Sequence, residues 1–210
     1  MKKQTIIINF KNYKNGKEVL KLAKSFEKYN KEIIVGVPAI DIREVSSKTK
    51  LKVYAEHVDS LHKGKSTGFT IPEEVKENGA DGTFLNHSEH KLKFNVLKET
   101  VKRCSEIGLK TAVFVPSIKE AIKAEKLKPD FLIYEPPELV GGKVSVSSAK
   151  PQIVKNLSEK MHMAFLVGAG IHNKKDVKTA MELGASGFAI SSAVVLAKNP
   201  TIKLREIFGR

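Results

Sequence analysis

The chain has 210 residues, of which 41% are hydrophobic and 29% are charged, and its formal net charge at pH 7 is +14. No stretch approaches the roughly 20 apolar residues of a membrane helix, and the apolar run near the start is too short for a signal peptide. The single cysteine, Cys104, excludes an internal disulfide and is typical of a reducing environment. We therefore expect a globular, cytoplasmic protein with no membrane partner.

The positive charge has two interpretations. A positive field attracts polyanions such as nucleic acids. The lysines are spread over nearly every predicted helix, however, and no run of five or six like charges appears. A lysine-rich solvated surface is the simpler interpretation, so we expect no nucleic-acid partner. Mild attraction of a small anionic substrate is compatible with either.

Short apolar runs that are rich in Val, Ile and Phe, and bounded by Gly, Pro, Asn or Asp, predict buried strands. In chain order these runs lie at 5–10, 32–37, 51–55, 82–85, 111–115, 131–135, 163–168 and 187–191. Segments with helical periodicity separate most of them, at 17–29, 91–108, 117–127, 149–161 and 173–184.

The regular alternation of strands and helices indicates a parallel sheet, and eight such units predict a closed (β/α)8 barrel. Because 210 residues are few for this fold, the helices after the second and third strands must be short or absent. We expect one domain over residues 1–210. An open doubly wound sheet is the alternative, but it has fewer strands, and no GxGxxG motif follows the first strand.

Polar residues follow several of these strands, at the end of the barrel where such proteins carry their chemistry. Each residue alone has a structural interpretation: Ser88 is a plausible N-cap for the next helix, with Glu89 in its first turn. Together they supply a cation, an imidazole and a carboxylate, which suits proton abstraction beside a carbonyl. The candidate residues are Asn9, Lys11, Asn86, His87, Ser88, Glu89, Glu135, Gly170, Ser191 and Ser192.

Two further features accompany this set. The glycine and serine turns after the seventh and eighth strands present backbone N–H groups to an anion, and barrels often bind phosphate there. A segment of about a dozen residues follows Glu135, with prolines at its start and Gly141 and Gly142 near its middle. Such a segment is typical of a lid that excludes water from an active site.

The motifs "NFKNY", "LNHSEHK", "YEPPELVGG" and "GAGI", with the last serine turn, resemble the triosephosphate isomerase family in its short archaeal form. The resemblance runs from residue 5 to about residue 200. It implies reversible isomerisation of D-glyceraldehyde 3-phosphate and dihydroxyacetone phosphate through an enediolate, in glycolysis and gluconeogenesis. It also implies that no metal or other cofactor is needed. This family is a standard example of tuned acid–base chemistry, and the mechanism is what the resemblance implies.

The resemblance also implies a role for each matching residue. Glu135 would be the carboxylate base. His87 would polarise the carbonyl while neutral, because a helix N-terminus would disfavour its protonation. Lys11 would stabilise the enediolate and help to hold the phosphate, and Asn9 beside it would also bind the substrate. Glu89 would position this network. The residues expected to bind the phosphate are Gly141, Gly170, Ser191 and Ser192.

Thr67 matches the threonine of the loop through which family members dimerise, which implies a homodimer or a homotetramer. Two strand-end residues depart from the family pattern. Glu56 stands where the family has glutamine, and Phe114 stands where it has cysteine.

Three alternatives stay open at this point. The first is another phosphate-binding barrel enzyme, such as an indole or prenyl-transfer relative, which would explain the glycine and serine turns but not Lys11, His87 and Glu135 together. The second is a catalytically weakened relative of the isomerases. The third is a non-enzymatic protein that binds a nucleic acid or another anion.

Overall fold

The computed structural model describes residues 4–136 and 151–209. Its strands form one closed parallel barrel in which neighbours in sequence are also neighbours in space. The strands are β1 (Thr5–Asn9), β2 (Ile34–Val37), β3 (Lys52–Ala55), β4 (Gly82–Leu85), β5 (Lys110–Val115), β6 (Phe131–Tyr134), β7 (Phe165–Val167) and β8 (Gly187–Ile190). The barrel closes where β8 pairs with β1, with Ile6 opposite Phe188. The predicted (β/α)8 barrel is confirmed.

Helices follow the strands around the outside of this barrel. They are α1 (Lys17–Tyr29), α2 (Ile42–Lys48), α3 (Pro72–Glu77), α4 (Phe94–Glu106), α5 (Ile118–Glu125), α6 (Pro151–Lys160), α7 (Lys174–Glu182), α8 (Ser192–Val195) and α9 (Pro200–Phe208). The helices after the second and third strands have only 7 and 6 residues, which confirms that the barrel is trimmed there. No helix within the described ranges is both long enough and apolar enough to cross a membrane.

The core has two layers because successive side chains of a strand point to opposite faces. In β1, Ile7 points into the barrel, whereas Ile6 and Ile8 belong to the outer layer between the sheet and the helices. The residues that fill the barrel interior are Ile7, Ile34, Tyr54, Phe84, Ala112, Phe114, Ile133, Leu166 and Ala189. A barrel filled in this way is a rigid support rather than a channel, so the chemistry is confined to its open ends.

The interpretation of Ser88 as a helix cap is wrong. Helix α4 begins at Phe94, its N-cap position is Lys93, and no side chain caps it. Residues 88–90 instead form a turn, closed by a hydrogen bond from the His90 N–H to the His87 oxygen at 2.9 Å.

Candidate active site

The C-terminal ends of β1, β4 and β6 bring Lys11, His87 and Glu135 together. The His87 Nε2 atom lies 3.3 Å from the Glu135 Oε2 atom. The Lys11 ammonium lies 2.6 Å from the Glu89 Oε1 atom. A cavity of about 260 Å³ opens beside them, and Lys11, Glu89 and Glu135 line one part of it.

Lys11 begins a turn directly after β1 and has an unusual backbone. Its φ is +48°, in the left-handed region that costs energy for any residue except glycine. The side chain of the buried Asn9 compensates in part, because its Oδ1 accepts a hydrogen bond from the Lys11 N–H at 3.0 Å. The turn directs the ammonium inward, where only 14% of the side chain is exposed.

His87 is buried at the end of β4 and is held from two sides. Its Nδ1 accepts a hydrogen bond from the Glu89 N–H at 3.1 Å, which assigns the proton of the neutral ring to Nε2. The Nε2–H group therefore faces the Glu135 carboxylate. The ring of Phe114 packs edge-to-face against the imidazole at 4.8 Å.

Burial and, to a smaller extent, the nearby Lys11 ammonium lower the pKa of His87 to about 4, against the opposing effect of Glu89. The imidazole is therefore neutral near pH 7. That state was expected, but the helix expected to begin at this point does not begin there, since α4 starts at Phe94. Desolvation and a neighbouring cation produce the same result.

Glu135 follows β6 directly and is also buried, with 7% of its surface exposed. Its backbone N–H donates to the Val115 oxygen at 2.9 Å and continues the sheet by one bond. Burial raises the pKa of Glu135 to about 7, against the opposing effects of Lys11 and the Ser88 hydroxyl. A carboxyl group that titrates near neutral pH both accepts and returns protons readily.

Gly168, after β7, packs against the base. A Cβ atom at this position would lie 2.7 Å from Ile133 Cγ2 and 3.1 Å from Glu135 Cβ. The absence of a side chain thus makes room for the carboxylate.

The expected phosphate-binding residues that the structure describes line the same cavity as Lys11 and Glu135. Gly170, with φ +67°, lines it together with Ser191 and Ser192. The Ser191 Oγ atom is buried and has no hydrogen-bond partner among the described residues. Gly141, like the rest of the predicted lid, lies outside the described residues.

A second cavity, of about 460 Å³, shares Lys11 and Glu89 with the first. It is also lined by Glu56 and by His57, whose ring stacks on that of His90 at 3.9 Å. Burial raises the pKa of Glu56 to about 7, against the effect of Lys11. Sequence reasoning missed the proximity of these groups to the lysine.

Thr67 lies on the exposed loop between β3 and α3 and lines neither of these two cavities. Within one chain, the structure therefore does not bring it to the catalytic candidates.

A buried carboxyl group of near-neutral pKa, a neutral imidazole and an ammonium at the strand ends define a (β/α)8-barrel enzyme of the acid–base class. The sequence model of the family "Triosephosphate isomerase" matches residues 4–208. The chain belongs to the triosephosphate isomerase family and is an isomerase.

Similar proteins agree with this membership over nearly their whole length. The triosephosphate isomerase of Saccharolobus solfataricus is 41% identical over 95% of this chain and 92% of its own. That of Methanothermus fervidus is 38% identical over 99% of this chain and 98% of its own. That of Thermoplasma volcanium is 37% identical, with coverages of 97% and 98%. These organisms are archaea, as the resemblance to the short archaeal form implied.

Proposed function

We propose that this chain interconverts D-glyceraldehyde 3-phosphate and dihydroxyacetone phosphate, with Glu135 as the base, His87 as the electrophile and Lys11 as the stabilising cation. The observation that carries the assignment is the 3.3 Å approach of the His87 Nε2 atom to the Glu135 carboxylate. Both groups are buried. Glu135 lines the cavity that the candidate phosphate-binding residues also line, and His87 lines the adjoining cavity, which shares Lys11 and Glu89 with the first.

The chemistry follows from the protonation states of the two groups. Ionised Glu135 removes a proton from the carbon next to the carbonyl, and the electron pair moves onto the carbonyl oxygen. The Nε2–H of His87 and the ammonium of Lys11 donate to that oxygen as it becomes an enediolate. Glu135 then returns the proton to the neighbouring carbon, and His87 relays protons between the two oxygens.

The phosphate would bind in the cavity that Lys11 and Glu135 line, through Gly170, Ser191 and Ser192, with Gly141 from the lid. The unpartnered hydroxyl of Ser191 supports this placement, because a buried donor without a partner is costly unless a ligand accepts from it. Glu89 supports Lys11, whose ammonium donates to its carboxylate, and His87, which accepts from its backbone N–H.

The test is a coupled isomerase assay of the unchanged protein and of Glu135→Gln. The variant keeps the shape of the side chain but cannot accept a proton, so we expect turnover to fall by about 10²–10⁴-fold. Glu125→Gln is a suitable control: that carboxylate accepts from the backbone N–H groups of His162 and Met163 and does not line the catalytic cavity. Full activity of Glu135→Gln would refute the assignment of the base.

We also propose that the protein is a homodimer or homotetramer assembled through the loop that carries Thr67. Large apolar side chains are exposed after the neighbouring strands β1, β2 and β3, namely Tyr13, Ile40 and Phe69. Ile40 is 90% exposed and Phe69 is 54% exposed. Because the ends of adjacent strands share one sector of the barrel rim, these side chains favour an interface there.

One barrel domain over residues 1–210, a cytoplasmic location, and no nucleic-acid or membrane partner are all consistent with a small phosphorylated substrate. The buried, unpaired Cys104 supports a reducing compartment.

A further inference from the structure

Asn86 ends β4 in a conformation that few side chains adopt, immediately before His87. Its φ is +60°, in the left-handed region, and only 4% of its surface is exposed. Asparagine tolerates this region better than most residues do, but burial of its amide requires partners for both polar ends.

Both ends of the Asn86 amide have such partners. The Nδ2 group donates to the Phe114 oxygen on β5 at 2.8 Å. The Oδ1 atom accepts from the Leu92 N–H, just before α4, at 3.0 Å. The buried Asn86 side chain thus links the start of the loop 87–92 to β5 and to the last residue of the same loop.

The catalytic candidates of β4 lie within this closed loop. Its residues include His87 and also Glu89, whose backbone N–H sets the tautomer of the imidazole. Phe114, which accepts from Asn86, is also the residue whose ring packs against the imidazole. A shift of the amide would therefore disturb the support of His87 from both sides.

We propose that Asn86 is a positioning residue for the reaction. Its amide fixes the loop 87–92 on β5, so that the Nε2–H of His87 stays directed at the reacting oxygen and the ring stays buried. Asn86 lines neither of the two cavities that Lys11 lines, whereas His87 lines one of them, so Asn86 acts through His87 rather than on the substrate. This inference rests on the proposed roles of His87 and Glu135.

Asparagine is the residue that meets both requirements at this position. Glycine would adopt the left-handed backbone without strain but would leave the Phe114 oxygen and the Leu92 N–H without this partner. Aspartate has no donor when ionised, so it would direct an oxygen at the Phe114 carbonyl. Alanine would lose the amide and would also be strained.

The first experiment is steady-state kinetics of Asn86→Gly, which removes the amide without straining the backbone. We expect kcat to fall about tenfold or more, while KM changes by less than about threefold, since misplacement of a catalytic group is felt mainly in the transition state. NMR titration gives a second result: the pKa of His87 should rise by about one unit or more as water reaches the ring.

Asn78→Gly is the matched control. The Asn78 amide also bridges two partners, since it accepts from Arg43 Nε and donates to the Glu74 oxygen, but it lies between α3 and β4 at the opposite end of the barrel. We expect its kcat and the pKa of His87 to equal those of the unchanged protein, whatever stability is lost.

A folded Asn86→Gly variant with unchanged kcat and unchanged His87 pKa would overturn the inference. A loss of stability with full kcat per folded molecule would overturn it as well, because it would show a structural role only. If the variant does not fold, hydrogen exchange of the Leu92 amide in the unchanged protein decides: slow exchange supports the fixed loop, and fast exchange refutes it.

Different results would refute the proposed reaction and the proposed role of Asn86. An unchanged, folded protein without isomerase activity would refute the proposed function. The His87 titration in Asn86→Gly and the Leu92 exchange would still show whether Asn86 fixes the imidazole.

Discussion

At the scale of single residues, the site depends on opposite effects of the same physical cause. Burial disfavours the charged form of both groups, so it lowers the pKa of His87 to about 4 and raises that of Glu135 to about 7. The imidazole is thereby a neutral donor, and the carboxyl group exchanges protons near neutral pH. Lys11 lowers both pKa values. At Glu135 it offsets part of the effect of burial, so this carboxyl group still ionises near neutral pH.

The pH dependence of kcat/KM should report Glu135. Since the base must be ionised, activity should rise with pH, with an inflection near the pKa of about 7. Neutral His87, with its pKa of about 4, should add no inflection between pH 5 and 7. A rate profile in buffers of constant ionic strength measures this, and an inflection at the ordinary glutamate value near 4.5 would contradict it.

The stability of Glu135→Gln should depend on pH in a defined direction. The folded-state pKa of about 7 exceeds the ordinary value of 4.5, so the folded protein binds more protons between these values and loses stability as pH rises through them. Glutamine does not ionise. We therefore expect the variant to be more stable than the unchanged protein at pH 8, by at most about 3 kcal/mol, with a smaller difference at pH 4.

Urea unfolding at the two pH values measures this difference, and Glu125→Gln is the contrasting case. Burial acts to raise the pKa of Glu125, but the N–H groups of Met163 and His162 outweigh it, so the pKa is lowered. Its ionised form stabilises the fold, and glutamine there should lower stability at pH 8. The same sign for both variants would contradict the assigned causes.

At the scale of elements, each catalytic side chain is placed by the end of a different strand. β1 ends in the strained turn of Lys11, β4 in the closed loop of His87, and β6 in Glu135, which still bonds to its neighbour β5. Three independent strand ends fix three groups because the barrel behind them is packed solid. Changes in that packing should therefore affect the rate.

Gly168→Ala tests this dependence. The added methyl would meet the side chains of Ile133 and Glu135, so it must displace the base. We expect kcat to fall about tenfold or more, with a stability loss of about 1–3 kcal/mol from overpacking.

Gly187→Ala is the matched control for that variant. Its methyl would lie 2.3 Å from the Thr5 oxygen, at the opposite end of the barrel. It should lose stability without a comparable fall in kcat at temperatures where it is folded. Equal effects on kcat would show that general loosening, rather than displacement of Glu135, is responsible.

At the scale of the whole molecule, the question is how the exposed apolar side chains near β1, β2 and β3 are covered. Phe69→Lys should shift the protein toward the monomer if the proposed interface exists, because a charge there cannot be buried without a partner. Analytical ultracentrifugation over a range of concentrations measures the shift.

Ile202→Lys is the control, since Ile202 on α9 is 51% exposed against 54% for Phe69. It should keep the assembly of the unchanged protein. A monomeric unchanged protein, or an identical response to both substitutions, would contradict an interface at the loop of Thr67.

Local sequence patterns were enough to predict the order of strands and helices. They also predicted that the active site would lie at the C-terminal ends of the strands. Short apolar runs and helical periodicity are properties of neighbouring residues, and parallel strands with short connections close in only a few ways. The candidate residues followed because polar groups directly after buried strands are few. Their assignment to an isomerase came from resemblance rather than from the pattern.

Only the tertiary structure decided the relations between residues that lie far apart in sequence. Ser88 faces Glu135 instead of capping a helix, and His87 is neutral because it is buried beside Lys11 rather than because a helix starts there. The two hydrogen bonds of the Asn86 amide, donated to the Phe114 oxygen and accepted from the Leu92 N–H, are further relations of this kind. Desolvation and hydrogen bonding depend on the three-dimensional surroundings of an atom, so they do not follow from the residues next to it in the chain.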